Sequence, residues 1–378
     1  MKDTSRGKDR RLAIFLPSLR GGGAERVMMN LANGFAGKGL SVDLVLVKAE
    51  GAYLKGVPDS LRVVDLDAGR VARSLPALVR YLRRERPDAL LSAMNHANIL
   101  ALWARSLART PARVTISEHN NLSASMQNVP SRRARLMPWL MRCFYPLADG
   151  IVAVSEGVAD DLASAIRMPR ERITVIYNPV VTPELLQMAR EPLDHPWFRP
   201  GEPPVILGAG RLTRQKDFSM LIRSFALVRK ERPARLLILG EGEERRDLEG
   251  LAGTLGIAGD IDMPGFVDNP YKYMARAALF ALSSKWEGLS TVIIEAMACG
   301  TPVVSTDCPS GPREILNGGQ YGSLVPVGNV EYFTRAVLEA LEHPFKLSSA
   351  RLDRFCPEHV MQEYLEVLGG RLQDEDRS

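Results

Sequence analysis

Short apolar runs alternate with helix-periodic segments from Leu12 to Leu368, and this alternation constrains the fold more than any single motif. A few apolar residues bounded by Gly, Pro, Asn or Asp read as a strand. Apolar residues three and four apart read as one face of a helix. Strands are expected at Leu12–Leu16, Ser41–Val47, Leu61–Leu66, Ala89–Ala93, Arg113–Ser117, Gly150–Val154 and Ile173–Ile176. A second series follows at Val205–Leu207, Arg235–Leu239, Ile261–Met263, Ala278–Leu282, Pro302–Ser305 and Ser323–Pro326. Among the helices, Ala24–Phe35 puts Val27, Met28, Leu31 and Phe35 on one face. Ser74–Arg86 opposes Leu75, Leu78, Val79 and Leu82 to Arg80, Arg83 and Arg84. Such alternation specifies an α/β fold with doubly wound sheets. Seven prolines crowd between Asn178 and Pro204, as in an interdomain linker. The expected domains are 1–184 and 185–352.

The chain has 378 residues, of which 46% are apolar and 25% charged, a soluble globular composition. Its charge is unevenly divided. Residues 1–190 hold 28 Lys and Arg against 17 Asp and Glu, whereas 191–378 hold 21 against 27. The basic half points to an anionic partner: lipid head groups, a lipid diphosphate or nucleic acid. An ordinary solvated basic face fits the same count. Arg132, Arg133, Arg135 and Arg142 interleave with Leu136, Met137, Trp139, Leu140 and Phe144, a pattern suited to an anionic membrane surface but interrupted by Pro130, Pro138 and Pro146. Cys143, Cys299, Cys308 and Cys356 have neither metal-ligand nor disulfide spacing, so they read as reduced thiols of a cytoplasmic protein. No apolar window is long enough to span a bilayer, so any membrane contact is expected to be peripheral.

Residues with chemistry collect at the ends of the strands, the carboxyl edge at which α/β sheets bind ligands. The densest stretch is 283–307. There Glu287 lies in a loop and Glu295 about a turn inside a helix expected at Thr291–Ala298. Leu289, Ser290 and Thr291 stand at the start of that helix, with Ser290 or Thr291 as its N-cap. Unpaired N–H groups and a positive dipole end make such a start an anion site. A diphosphate fits there, with a carboxylate on either side to grip hydroxyl groups. After Gly208-Ala209-Gly210 come Arg211 and Lys216, a bidentate donor and a point charge suited to the same diphosphate. Gly240-Glu241-Gly242 and Pro264-Gly265-Phe266-Val267 end the next two strands. Glu241 reads equally as a site acid or a surface acid, and Phe266 as rim or core.

In the first half, Gly21-Gly22-Gly23 follows the first strand and precedes Glu25 and Arg26, a phosphate-approach loop or a plain tight turn. Ser117-Glu118-His119-Asn120-Asn121 ends another strand, and His96 follows a third. The triplets Asp65-Leu66-Asp67 and Asp260-Ile261-Asp262 read as surface chemistry, not metal ligands.

Glu287 through Glu295, continued by Ala296-Met297-Ala298-Cys299-Gly300-Thr301-Pro302-Val303-Val304, resembles the signature of the retaining, nucleotide-sugar-dependent glycosyltransferases of family 4. It departs at Ser290, where that family usually has Pro or a small residue. The resemblance implies the GT-B fold, two Rossmann-like domains facing across a cleft, with a final helix in 353–378 joining the first domain. It implies retention by front-face attack assisted by the leaving phosphate. Glu287 would contact the sugar ring and His119 would hydrogen-bond the sugar. Glu295 would hold the ribose, and Arg211 and Lys216 the diphosphate. Gly22, Gly23, Glu241, Phe266, Val267, Leu289, Ser290 and Thr291 would line the donor site. Gly21, Arg26 and Asn120 would lie on the acceptor side. The family needs no cofactor and no metal.

Glu118-His119-Asn120 with Cys308-Pro309-Ser310-Gly311-Pro312-Arg313-Glu314 is similar to bacterial transferases that extend lipid-diphosphate-linked glycans. The expected donor is a UDP-hexose or UDP-N-acetylhexosamine, and the expected acceptor a polyprenyl-diphosphate oligosaccharide. The expected location is cytoplasmic, peripheral at the inner face of the cell membrane, with no nucleic acid partner. Two other classes fit parts of the sequence. A nucleotide-sugar epimerase on the same fold needs no separate acceptor. A nucleic-acid-binding module would use the basic half and leave the 287–295 segment unexplained.

Overall fold

The computed structural model describes residues 10–20, 22–128, 132–343 and 352–369, without the side chains of 128 and 132–135. Gly21 and the side chains of Arg132, Arg133 and Arg135 therefore lie outside the described residues. The chain forms two compact units, divided after Pro179 and again after Cys356. The prolines suggest a first boundary at 184, and the family resemblance a second at 352.

The first unit is built on a seven-stranded parallel sheet. Its strands are β1 (Arg11–Leu16), β2 (Ser41–Leu46), β3 (Arg62–Asp65), β4 (Ala89–Ala93), β5 (Arg113–Glu118), β6 (Gly150–Ala153) and β7 (Thr174–Val175). They lie in the order β3-β2-β1-β4-β5-β6-β7. Leu12 stands beside Val42 on one side and Ala89 on the other. Every residue of β4 is buried, as expected of a parallel strand covered on both faces. The second unit repeats the plan with six strands: β8 (Val205–Ala209), β9 (Arg235–Leu239), β10 (Ile261–Gly265), β11 (Leu279–Leu282), β12 (Val303–Thr306) and β13 (Ser323–Val325). Their order is β10-β9-β8-β11-β12-β13, also parallel. In each sheet the order reverses once, between β1 and β4 and between β8 and β11. Helices leave a crevice at such a reversal, just beyond the carboxyl ends of the two strands.

The last helix, Pro357–Leu368, belongs to the first unit. Val360, Met361, Tyr364, Leu365 and Leu368 are buried in one core with Leu12, Ile14 and Phe35. The proline-rich stretch is more ordered than a linker. Thr182 accepts the Leu185 N–H at 3.1 Å and caps a helix Pro183–Arg190, with Pro183 in its first turn. His195 Nε2 lies 3.2 Å from Asp262 Oδ2, and its ring packs edge-on to Trp197 and Tyr273. The prolines hid a helix whose start signal, Thr-Pro-Glu, was present. Two further helices, Leu122–Asn128 and Glu156–Ile166, complete connections that the periodicity left open.

The packing of the last helix yields a stability prediction. Leu368→Ala removes a side chain buried in the first unit's core and should lower that unit's stability by about 2–5 kcal/mol. Glu366→Ala, on the exposed face, should change it by less than about 0.5 kcal/mol. Urea unfolding followed by tryptophan fluorescence and circular dichroism measures both.

Candidate active site

In the second unit the groups singled out by sequence meet where the strand order reverses. The loop after β8 carries Lys216 and the loop after β11 carries Glu287. Lys216 Nζ donates to Glu287 Oε1 at 2.6 Å. Ser284 Oγ donates to the same oxygen at 2.6 Å. Only 17% of the lysine side chain and 8% of the glutamate side chain are accessible, so the pair is held largely out of water. Bonds to backbone carbonyls frame it. Ser283 Oγ donates to Lys216 O at 2.7 Å, Gln215 Nε2 to Trp286 O at 2.9 Å, and Lys285 N to Gln215 O at 2.8 Å. Both side-chain bonds to Glu287 use Oε1, which leaves Oε2 without a protein partner among the described residues. The ammonium likewise keeps two N–H donors for a ligand. Arg211 is exposed, and its guanidinium has no ion pair among the described residues.

The helix Thr291–Ala298 begins beside this pair, with Glu295 and Leu289 buried. Ser290 occupies the N-cap position but makes no capping bond, contrary to its expected role. Its Oγ is buried and has no hydrogen-bond partner among the described residues. A buried hydroxyl without a partner costs about 1–3 kcal/mol, so it fits a place that a polar ligand completes. Gly311 crosses close by at φ +89°, where a Cβ would lie 3.1 Å from Ser290 N and 3.2 Å from Gly288 O. Burial, and then the neighbouring Glu287 carboxylate, push the Cys308 thiol up to about 12, so it is not a nucleophile at neutral pH.

The ends of β9 and β10 extend this edge. Gly240 has φ +136°, and a Cβ there would lie 2.0 Å from Gly210 O. A Cβ at Gly242 would lie 2.2 Å from Leu212 O. These glycines let three loops stack backbone on backbone. Glu241 pairs with Arg245 at 2.6 Å. Phe266 is 70% exposed and is therefore not a core residue; Val267 beside it is half-buried. Both acids of the second Asp triplet have protein partners. Asp260 pairs with Arg229 and Arg235, and Asp262 faces His195.

The first unit presents a different chemistry at its own edge. Glu118, the last residue of β5, is buried and accepts Asn98 Nδ2 at 2.9 Å and the Tyr145 hydroxyl. Burial raises its carboxyl to about 7 against these two hydrogen bonds. His119 is also buried, and burial lowers it to about 4, so the ring is neutral at physiological pH. Its Nε2 lies 3.1 Å from Ser117 Oγ, which lies 3.3 Å from the Tyr364 hydroxyl on the last helix. Asn120 is exposed, while Asn121 turns inward and caps the next helix through Ala124 N at 2.9 Å. After β1, Gly22 is the N-cap of the helix Gly23–Gly37. The Glu25 carboxylate accepts the Gly22 N–H at 2.9 Å. That helix start thus already has a carboxylate on it. Gly23 is exposed and Arg26 half-buried.

Residues 21–183 match the family described as Glycosyltransferase Family 4, and residues 190–354 match Glycosyl transferases group 1. The chain is 30% identical over 344 residues to the N-acetylgalactosamine-N,N'-diacetylbacillosaminyl-diphospho-undecaprenol 4-alpha-N-acetylgalactosaminyltransferase of Campylobacter jejuni, covering 88% of this chain and 90% of that one. This chain belongs to glycosyltransferase family 4. The enzyme is also 28% identical over 363 residues to the lipopolysaccharide core biosynthesis glycosyltransferase LpsE of Rhizobium meliloti, covering 93% and 96% of the two chains. Its fold superimposes on Anabaena HepE, solved with UDP and glucose, with a TM-score of 0.76 at 20% identity over 95% of this chain and 99% of that one. The fold is GT-B, with two parallel-sheet Rossmann-like domains.

Within each unit of this glycosyltransferase, most of the residues picked from sequence lie at the ligand-binding edge of the sheet. Sequence reading missed Ser284, Gln215 and Gly311 in the second unit and Asn98, Tyr145 and Tyr364 in the first. Ser284 adjoins the 287–295 motif and was within its reach. Gln215, next to Lys216, was also within reach, whereas Gly311, Asn98, Tyr145 and Tyr364 arrive from distant segments.

Glu118 and His119 make a pH prediction. In the unfolded chain they titrate near 4.5 and 6.5. Between about 4.5 and 7 the folded state binds the extra Glu118 proton, so this group's stability contribution falls as pH rises. Between about 4 and 6.5 the unfolded state binds the extra His119 proton, so its contribution rises with pH. The two oppose each other. Glu118→Gln should gain about 3 kcal/mol relative to wild type as pH is raised through its window, and His119→Asn should lose about as much through its own. Denaturation midpoints across this pH range read the slopes independently of any packing offset.

Proposed function

We propose that this glycosyltransferase moves a hexose or N-acetylhexosamine from a UDP-sugar to a polyprenyl-diphosphate-linked glycan, with retention at the anomeric carbon. The observation that carries the donor reading is the largely buried Lys216–Glu287 pair at the strand reversal, with donors on one side and a carboxylate oxygen on the other still unspent. Lys216 and Arg211 hold the diphosphate and meet the charge that develops as it leaves. The start of the helix Thr291–Ala298 and the Ser290 hydroxyl supply further donors. Glu287 grips the sugar ring and Glu295 the ribose. Glu241, Phe266 and Val267 border the nucleotide. His119, neutral, hydrogen-bonds the sugar, while Gly22, Gly23, Arg26 and Asn120 serve the donor's far side and the acceptor. Retention follows from front-face attack, the leaving phosphate taking the acceptor's proton as the new glycosidic bond forms.

The structure of HepE with UDP and glucose supports the donor class, and the undecaprenol-diphosphate substrate named for the Campylobacter relative supports the acceptor. Because cations and a helix terminus meet the diphosphate's charge, no metal cofactor is required. With such a donor and acceptor the enzyme works on the cytoplasmic side of the membrane.

The test is UDP release from a panel of UDP-hexoses and UDP-N-acetylhexosamines, with and without a lipid-diphosphate glycan. One donor should give acceptor-stimulated release that survives chelation of divalent ions. Lys216→Ala and Arg211→Ala should each lower turnover roughly 10²–10³-fold. Glu287→Gln, which keeps the size of the side chain, should abolish the stimulated release. Interconversion of the sugar without UDP release would replace the transferase reading by an epimerase.

A further inference from the structure

We infer that His119 carries its proton on Nδ1 and that Tyr364, acting through Ser117, is the positioning residue that keeps it there, so that the ring offers an N–H to an oxygen of the sugar. The three groups form one string inside the first unit. His119 Nε2 lies 3.1 Å from Ser117 Oγ, and that oxygen lies 3.3 Å from the Tyr364 hydroxyl on the helix Pro357–Leu368. Asn98 Nδ2 donates to Ser117 O at 3.1 Å and holds the serine backbone in place. Ser117 and Tyr364 are buried almost completely, at 0% and 1% exposure.

Only one arrangement of protons uses every buried donor in this string. Each hydroxyl carries one proton, and a neutral imidazole carries one N–H and one bare nitrogen. Suppose first that Nε2 carries the proton and donates to Ser117. If Ser117 then donates to Tyr364, the phenol proton has no acceptor among the described residues. If Tyr364 donates to Ser117 instead, the serine proton has none. A buried donor without an acceptor is rare and costly. With the proton on Nδ1 the string closes. Tyr364 donates to Ser117, and Ser117 donates to the bare Nε2. Tyr364 can serve as the end donor because burial pushes its phenol up to about 12, so it keeps its proton at neutral pH. The imidazole is neutral under the same conditions, since burial lowers it to about 4. His119 stands just past the end of β5, at the carboxyl edge of the sheet, and its Nδ1 has no hydrogen-bond partner among the described residues. A donor fixed in this way needs no change of tautomer when an acceptor oxygen arrives.

What the N–H meets rests on the transferase reading, whereas the place of the proton does not. The full chain, nitrogen-15 labelled in its histidines and free of sugar, is measured at neutral pH by two-bond proton–nitrogen correlation. The His119 signals are those lost in His119→Asn and displaced in Ser117→Ala. They should show a protonated Nδ1 and a bare Nε2. Tyr364→Phe keeps the ring and removes only the hydroxyl. It should move the proton onto Nε2 in a measurable fraction of molecules, with circular dichroism unchanged. A proton on Nε2 in the wild type, or a Tyr364→Phe tautomer identical to it, overturns the inference. In the transfer assay Tyr364→Phe should lower kcat/KM about three- to tenfold, the net worth of one hydrogen bond, and by less than about twofold when His119 is already Asn. An equal loss in both backgrounds makes Tyr364 a packing residue and overturns its positioning role. If no donor is turned over, the proposed function fails, and the tautomer still decides the inference.

Discussion

The second unit depends on holding one cation and one carboxylate together out of water. Desolvating two charges costs several kcal/mol each, and their attraction offsets this only with good hydrogen bonding. Lys216 and Glu287 meet that condition through the Ser284 hydroxyl and a frame of bonds to backbone carbonyls from the Ser283 and Gln215 side chains and the Lys285 N–H. The pair joins the loops after β8 and β11, the two strands that flank the reversal. It therefore fixes the crevice before any ligand arrives. Preorganisation of this kind lets a site stabilise developing charge without reorganising at the moment of reaction.

The first unit uses the same topology for nearly opposite electrostatics. Its edge buries Glu118 and His119 and pushes both toward their uncharged forms. A neutral imidazole bonded through Ser117 to Tyr364 is held as a hydrogen-bonding group, with one orientation set by the last helix. The return of the chain after Cys356 thus does more than fill a core. It brings the tyrosine hydroxyl that finishes this network. Truncating the last helix would remove both contributions together.

Fold class was legible because strands buried on both faces are continuous apolar runs, and β4 and β8 are buried along their whole length. The helix Thr291–Ala298 was read at its true bounds, since Gly300 and Pro302 close it and apolar residues keep its period. Arg211 and Lys216 were legible because a glycine turn before cations and a helix is a local pattern. What local pattern could not supply was the third dimension. Gly311 matters because it passes Ser290, about twenty residues away. Asn98 and Tyr145 matter because Glu118 lies between them. The helix Pro183–Arg190 was lost for another reason: proline density outweighed a valid cap and a proline in the one helical turn that accepts it.

Net charge illustrates why the site cannot be read from totals. The second half of the chain carries more acids than bases, yet the proposed diphosphate site lies there, on cations. Screening in physiological salt acts over about 8 Å, so a bound anion responds to the groups nearest it. Lys216 is paired with Glu287, the adjoining Asp217 is paired with Lys285, and Arg211 stands exposed on the same loop. Asp260, which adds to the negative total, is occupied by Arg229 and Arg235. Charge that is spent in structural pairs leaves the total unchanged but leaves the local field to the groups that remain unpaired. A net excess of acids in this half is therefore no argument against the proposed diphosphate site.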